Sequence, residues 1–390
     1  MEYRDKKSIL FVIDSLTCGG AEKSLVSLLS LLDYTQMEVD LMMVTRGGMF
    51  EQYVPQEVQV LSFPKAKGFR RFWYFVCQLY FSFLLRLYRI LKKKKHGAEV
   101  RWGAMKSGYA PLREHYDVAV AYQQGFPTYY VAEKVNADRK YAWINVDLSK
   151  AGYDERFNRR YYDMMTRIVP VSDVLCQMLG KTGYVDEAKL YTVYDILNVD
   201  LMRRMAQEND VWDDIHTEGF SLVTAGRMAP QKNYILAVET AKVLKDMGLM
   251  FRWYFVGDGS ERLSVENLIA QYCLQDCISL VGMQPNPYPY MANCDIYVQT
   301  SSFEGFCLTL REARIFHKPV VSTNFPVVYD QIKDGENGLI AEMTAESLAE
   351  KIMLLVNNPD LRERLIENTR KETDLTAMTE SKKVNELLLA

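Results

Sequence analysis

The chain has 390 residues, longer than the roughly 100–200 that one hydrophobic core usually organises, so two domains are expected. With 48% hydrophobic and 25% charged residues it is neither disordered nor fibrous, and a net charge of −3 gives no attraction for nucleic acid. Seven scattered cysteines, an odd number, fit a reducing compartment better than a disulfide framework. Cys273 and Cys277 lack the second Cys or His pair that a tetrahedral zinc site needs, so no metal is expected. The opening MEYRDKKSILFVID holds only a short apolar run, too short for a signal peptide or a span, which predicts a cytoplasmic protein.

Short apolar runs alternate with amphipathic stretches, the pattern of doubly wound α/β domains with buried parallel strands. In the first half the strand candidates are Ser8–Asp14, Val39–Val44, Val58–Leu61, Val118–Tyr122, Tyr141–Ile144, Ile168–Val171 and Leu190–Val193. In the second they are Leu222–Ala225, Trp253–Val256, Ile278–Val281, Ile296–Gln299 and Pro319–Ser322. The charge-mixed stretch VDLMRRMAQENDVWDD between the halves reads as a link or as an ordinary surface helix. The expected division is residues 1–198, residues 199–365, and a C-terminal helix in 366–390 that packs back on the N-terminal domain. Two open sheets facing each other would leave a cleft at the carboxyl ends of their strands, so the strand-to-helix turns are where ligand residues are sought.

Three such turns carry chemistry. After the strand IYVQT come Ser301, Ser302, Phe303, Glu304 and Gly305, then Phe306, Cys307 and Leu308 where a helix begins, with Glu312 inside that helix. Gly305 permits close backbone approach, and amides at a helix start can face a phosphate. Ionised Glu304 and Glu312 only accept hydrogen bonds, which suits sugar and ribose hydroxyls. A capping and surface role is the plain alternative for both. After SLVTA come Gly226, Arg227 and Lys232, whose cations can neutralise a diphosphate and stabilise it as a leaving group; a basic helix start on the surface is the alternative. After the first strand come Cys18, Gly19, Gly20 and Glu22, where paired glycines expose amides to an anion or simply turn the chain. VGDGS, with Gly257, has two glycines of a dinucleotide fingerprint but Arg262 where the third belongs.

GRMAPQK, FVGDGSER, LVG, SSFEGFCLTLREA, KPVVST and DGENGLIA, in this order between Leu222 and Leu339, resemble family 4 of the retaining glycosyltransferases. In the first half the likeness thins to GGAE. The resemblance implies a GT-B fold: two Rossmann-like doubly wound domains facing a central cleft. It implies transfer of a sugar from a nucleoside diphosphate donor, expected to be UDP-linked, to a carbohydrate or polyprenyl-linked acceptor in surface polysaccharide assembly. Glu304 would hold the donor sugar and Glu312 the ribose. Arg227, Lys232 and the amides of Phe306, Cys307 and Leu308 would hold the diphosphate, with the backbone near Gly282 and Met283 at the base. Gly19 and Gly20 would close on the phosphate from the N-terminal domain. Beyond the sugar nucleotide no cofactor is implied, and the family's independence of metal agrees with the absence of Asp-x-Asp here. One departure stands out: in KYAWINVDLSK, Asn145 takes the place where many relatives carry a histidine, and Asn cannot accept a proton at neutral pH. A catalytically silent, donor-binding partner of another transferase is therefore the rival reading.

From Val58 to Ala98 there is no acidic residue, but there are ten Lys/Arg and ten aromatics. The 14-residue apolar stretch Phe72–Leu85 is too short to span a bilayer. As a helix it places Arg71, Gln78, Ser82, Arg89 and Lys93 on one stripe, with Phe72, Leu79, Phe83 and Ile90 off it. Residues 65–95 are thus expected to meet an anionic membrane surface, the alternative being a core helix with a basic cap.

Overall fold

A computed structural model of the chain describes residues 6–17, 19–64, 68–90, 95–208, 219–284, 286–371 and 376–390. Cys18, the end of the expected link from residue 209, residues 65–67 and 91–94 of the basic segment, and residues 372–375 lie outside the described residues. The chain forms two compact units, Met1–Ile196 with Thr376–Ala390, and Leu197–Leu375.

The first unit is built on a parallel sheet of β1 (Lys7–Ile13), β2 (Met37–Met43), β3 (Val58–Ser62), β4 (His115–Ala121), β5 (Asn136–Ile144) and β6 (Arg167–Pro170), in the order β3-β2-β1-β4-β5-β6. The second repeats this plan with β7 (Phe220–Ala225), β8 (Phe251–Val256), β9 (Ile278–Gly282), β10 (Ile296–Gln299), β11 (Val320–Thr323) and β12 (Leu339–Ala341), in the order β12-β11-β10-β7-β8-β9. The central strands are continuous apolar runs because helices cover both their faces. Ile9, Leu10, Phe11, Val12 and Ile13 are all fully buried, each contributing about 1.5–3 kcal/mol relative to exposure.

A matching pair of polar locks marks the point in each sheet where strand order reverses. Ser8 donates its N–H and its hydroxyl to Asp117 Oδ2, both at 2.8 Å, and Asp117 N–H returns a bond to Ser8 Oγ at 3.1 Å. Ser221 and Asp295 do the same at 2.8, 2.8 and 3.0 Å. Each lock ties the start of the first strand of its unit to the start of the fourth.

The last strand candidate of the first half differs. Tyr191 N–H bonds to the Ile168 carbonyl and Val193 N–H to that of Pro170, but only Leu190 forms a bridge to the sheet. The ladder stops because the next bond would have to come from the N–H that Pro170 lacks. Conversely, the three-residue β12 was not foreseen, since LIA is too short to register as an apolar run.

The C-terminal helix Thr376–Leu389 belongs to the first unit. Its Leu387 carbonyl accepts from the Tyr141 hydroxyl at 3.1 Å, Asn385 Oδ1 from Asp33 N–H at 3.0 Å, and Glu380 Oε2 from Tyr194 N–H at 2.9 Å. Val384 and Leu388 are fully buried beneath it.

The helix Phe69–Ile90 is seated on one side only. Trp73 Nε1–H donates to Ser107 Oγ at 3.0 Å, the Tyr74 and Tyr109 rings lie 5.8 Å apart, and Cys77 is buried. Phe72, Phe75, Leu79 and Phe83 form a separate stripe and are each more than half exposed. Arg71, Gln78, Ser82 and Arg86 are exposed beside the stripe, while the side chains of Arg89 and Ile90 are not described. Among the described residues no helix is long and apolar enough to cross a membrane.

Candidate functional site

In the second unit the order reverses between β7 and β10, which are hydrogen-bonded neighbours. Their carboxyl ends are where open α/β sheets bind ligands. The turn after β7 and the turn after β10 meet there.

The first turn is a backbone construction. Gly226 N–H continues the ladder to the Val256 carbonyl at 3.0 Å, Met228 N–H bonds to the Asp258 carbonyl at 2.9 Å, and Glu261 N–H returns to Met228 at 3.0 Å. A Cβ on Gly257 would overlap the Gly226 carbonyl oxygen, and one on Gly259 the Met228 carbonyl oxygen. The glycines of VGDGS therefore serve close packing of one turn on another. Gly226, at φ 148°, has Lys232 Cε 3.1 Å from where a Cβ would lie, so the lysine folds back beneath the turn. Arg227 is exposed on the outside of it.

The second turn is stitched to the first. Thr300 Oγ1–H donates to the Lys232 carbonyl at 2.8 Å, and Ser302 N–H to the Gln231 carbonyl at 2.8 Å. This brings Lys232 Nζ to 2.7 Å from Glu304 Oε1, with side chains only 12% and 9% exposed. Burial alone would push the ammonium towards its neutral form. The Glu304 carboxylate, with Cys307 and Glu312, more than reverses that, so the Lys232 pKa stands above its ordinary value.

The helix Leu308–Ile315 starts immediately beyond, where the sequence placed it, with Cys307 as its N-cap in left-handed backbone at φ 68°. Phe306, Cys307 and Leu308 are buried, and burial pushes the Cys307 thiol up to about 12. Gln331 Nε2 donates to the Phe306 carbonyl and, at 3.4 Å, to that of Cys307, which fixes the peptide planes carrying the Cys307 and Leu308 amides. Glu312 is fully buried in the same helix and accepts from the Tyr288 hydroxyl at 2.9 Å. At the end of β9, Gly282 has φ 79° and bridges to Gly257, while Met283 is 65% exposed. Glu304, Gly305, Lys232 and Gly226 thus gather at one place, with Glu312 close enough to act on the Lys232 charge.

Gly19, Gly20 and Asn145 lie in the first unit. Gly20 opens the helix Gly20–Leu29 with Gly19 as its extended N-cap, and the Glu22 carboxylate folds back over the place a Gly19 Cβ would occupy. That helix start already has an anion of its own. Asn145 follows β5; its Nδ2–H donates to the Tyr122 carbonyl at 3.1 Å, its N–H to Gln124 Oε1 at 3.0 Å, and its buried Oδ1 has no partner. Among the described residues there is no cluster of three His, Cys, Asp or Glu able to hold a metal.

Residues 208–372 match the family model described as glycosyl transferases, group 1. This stretch contains every residue of the gathered site. The chain is 32% identical over 146 residues to an uncharacterized glycosyltransferase of Methanocaldococcus jannaschii, covering 37% of this chain and 40% of that protein. It is 31% identical over 161 residues to the poly(ribitol-phosphate) alpha-N-acetylglucosaminyltransferase of Staphylococcus aureus, covering 38% and 32%. The chain thus spans less than half the length of these curated relatives. Among solved structures, Anabaena Alr3699/HepE in complex with UDP and glucose superposes with a TM-score of 0.72 at 16% identity, over 98% of this chain and 99% of that one. TarM of S. aureus superposes with 0.68 at 14%, over 100% of both. The architecture is therefore GT-B, shared with glycosyltransferases along the full chain.

Sequence reasoning missed Tyr288, Gln299 and Gln331, and named Ser301 without giving it a role. Gln299 left a trace: an uncharged polar residue closing a buried strand must have partners.

Proposed function

We propose that the chain is a retaining, metal-independent glycosyltransferase. It moves a hexosyl group from a UDP-sugar to a carbohydrate or lipid-linked oligosaccharide acceptor in surface polysaccharide biosynthesis. The observation that carries this reading is the Lys232–Glu304 pair, held by Gly226 and the stitched turns at the switch point of the second sheet. A buried cation next to a carboxylate suits a ligand that is anionic at one end and hydroxylated at the other. A sugar nucleotide is such a ligand, and solved neighbours carry UDP, UDP with glucose, or UDP-glucose.

In this reading Glu304 accepts from a hydroxyl of the donor sugar, and Glu312 serves the ribose from behind Tyr288. The backbone at Gly282 and Met283 meets the base. Arg227, Lys232 and the amides of Phe306, Cys307 and Leu308 stabilise the diphosphate as its bond to the sugar breaks, supplying the positive charge a divalent ion would otherwise bring. The acceptor oxygen bonds to the anomeric carbon on the face the diphosphate leaves, and its proton passes to a departing phosphate oxygen. Asn145 is then not called on to accept a proton. The same residue favours the second reading, a donor-binding partner without transfer activity.

The exposed stripe Phe72, Phe75, Leu79 and Phe83, flanked by Arg71 and Arg86, supports weak binding to an anionic membrane surface, where a lipid-linked acceptor would be presented.

The test is turnover of UDP-glucose, with and without chelator, in the unaltered chain and in Lys232→Ala and Glu304→Ala. Chelator-insensitive turnover, lost in both variants and giving an α-linked product by NMR, is the expected result. Undiminished turnover in the variants would sink the assignment.

A further inference from the structure

Behind Glu304 lies a hydrogen-bonded chain that the proposed chemistry does not itself use. The Tyr297 hydroxyl donates to Gln299 Oε1 at 2.8 Å and the Thr309 hydroxyl to the same oxygen at 3.1 Å. Gln299 Nε2 donates to Ser301 Oγ at 2.6 Å, and Ser301 Oγ–H donates to Glu304 Oε1 at 2.7 Å. Tyr297, Gln299 and Ser301 are completely buried.

The direction of this chain follows from chemistry. Glu304, paired with Lys232, is a carboxylate and can only accept, so Ser301 must give it its proton. Ser301 Oγ must then receive from Gln299, which turns the amide nitrogen to the serine and the amide oxygen to Tyr297 and Thr309. Both of those can donate. Every group in the chain is satisfied with the amide turned this way, the Tyr297 hydroxyl having the Ala225 carbonyl as a second acceptor at 3.5 Å, and reversing the amide would leave the Glu304 bond without its proton. Buried networks with a single satisfied arrangement are rigid.

The consequence falls on the carboxylate. Oε1 is taken by two partners, Ser301 and Lys232, while Oε2 has no hydrogen bond among the described residues. Resting on the donor-binding reading above, we propose that Gln299 and Ser301 are positioning residues that hold Glu304 with Oε2 presented to a hydroxyl of the donor sugar. They set affinity for the sugar portion of the donor and leave the diphosphate contacts alone. Specificity for the sugar is then built partly beneath the site, in the strand β10 and the turn that follows it.

The experiment compares two ligands, UDP and UDP-glucose, by calorimetry on the full chain. The variants are Ser301→Ala, which deletes one oxygen, and Gln299→Met, which keeps the volume and reads the same contact if the first folds poorly. The expected result is a roughly tenfold weaker UDP-glucose affinity, as for loss of one hydrogen bond to a charged group, with UDP affinity within about twofold of the unaltered chain. A purely structural role would weaken both ligands in parallel. Parallel loss, or no change in the ratio of the two affinities, overturns the proposal. Failure of the unaltered chain to bind either ligand overturns the donor-binding reading and this inference together; an unchanged ratio overturns this inference alone.

Discussion

Lys232 Nζ and Glu304 Oε1 stand 2.7 Å apart although 71 residues of chain separate them, and neither side chain is more than 12% exposed. The lysine reaches its partner because Gly226 has no side chain to obstruct it and because Thr300 and Ser302 bind the backbone around it. A pair so enclosed costs more to break than to omit.

Lys232→Ala is therefore expected to lower stability by about 2–3 kcal/mol, below the value for a fully dry pair because some solvent reaches it. The double variant Lys232→Ala with Glu304→Ala should recover part of this. Denaturant melts of the two single variants and the double one measure the coupling; additive losses would mean that the two charges do not interact.

Gly257→Ala tests the packed turns. At φ 154° the backbone at this position favours glycine, with a penalty of about 1–3 kcal/mol for a side chain, and the new Cβ would also overlap the Gly226 carbonyl oxygen. The variant should melt earlier and bind UDP more weakly. Gly248→Ala, with open space around its Cβ and also at positive φ, separates backbone strain from the collision and should leave UDP binding intact.

Acid and base act on different contacts. Bonds from Ser8 hold the Asp117 carboxyl below its ordinary value, so its contribution is present above the unfolded pKa near 3.9 and is lost as pH falls through the lower folded value. Asp117→Asn should flatten the stability curve below about pH 4. The Lys232 pKa is raised, so its contribution is full below its ordinary value of 10.5 and disappears only as pH rises through the higher folded value. Stability measured between pH 6 and pH 9 should show no Lys232 titration.

The helix Phe69–Ile90 gives a fourth expectation. Phe75→Ser with Leu79→Ser removes part of the exposed stripe without touching the Tyr74 and Cys77 side, so the fold should hold. Co-sedimentation with phosphatidylglycerol vesicles should fall roughly tenfold, and binding by the unaltered chain should weaken with salt. Equal sedimentation of both proteins would remove the membrane reading.

The alternation of strands and helices is legible in the sequence, because fully buried parallel strands must be continuous apolar runs, and eleven of the twelve candidate runs lie in the sheets. The sequence also marked Gly226, Lys232, Glu304 and the start of the helix at Leu308, since glycines, charges and a helix start leave local signatures. It overreached at Leu190–Val193, where the missing N–H of Pro170 ends the ladder, and it passed over LIA. The tertiary structure alone decided the partnerships. Gly257 and Gly259 of VGDGS accommodate neighbouring carbonyls, and at GGAE the Glu22 carboxylate lies over Gly19. The polarity of Tyr297, Gln299 and Ser301 depends on Glu304 being charged by its pairing with Lys232, a contact that forms only when β7 and β10 lie side by side. Local sequence specifies what each residue can donate or accept, and only the fold specifies to whom.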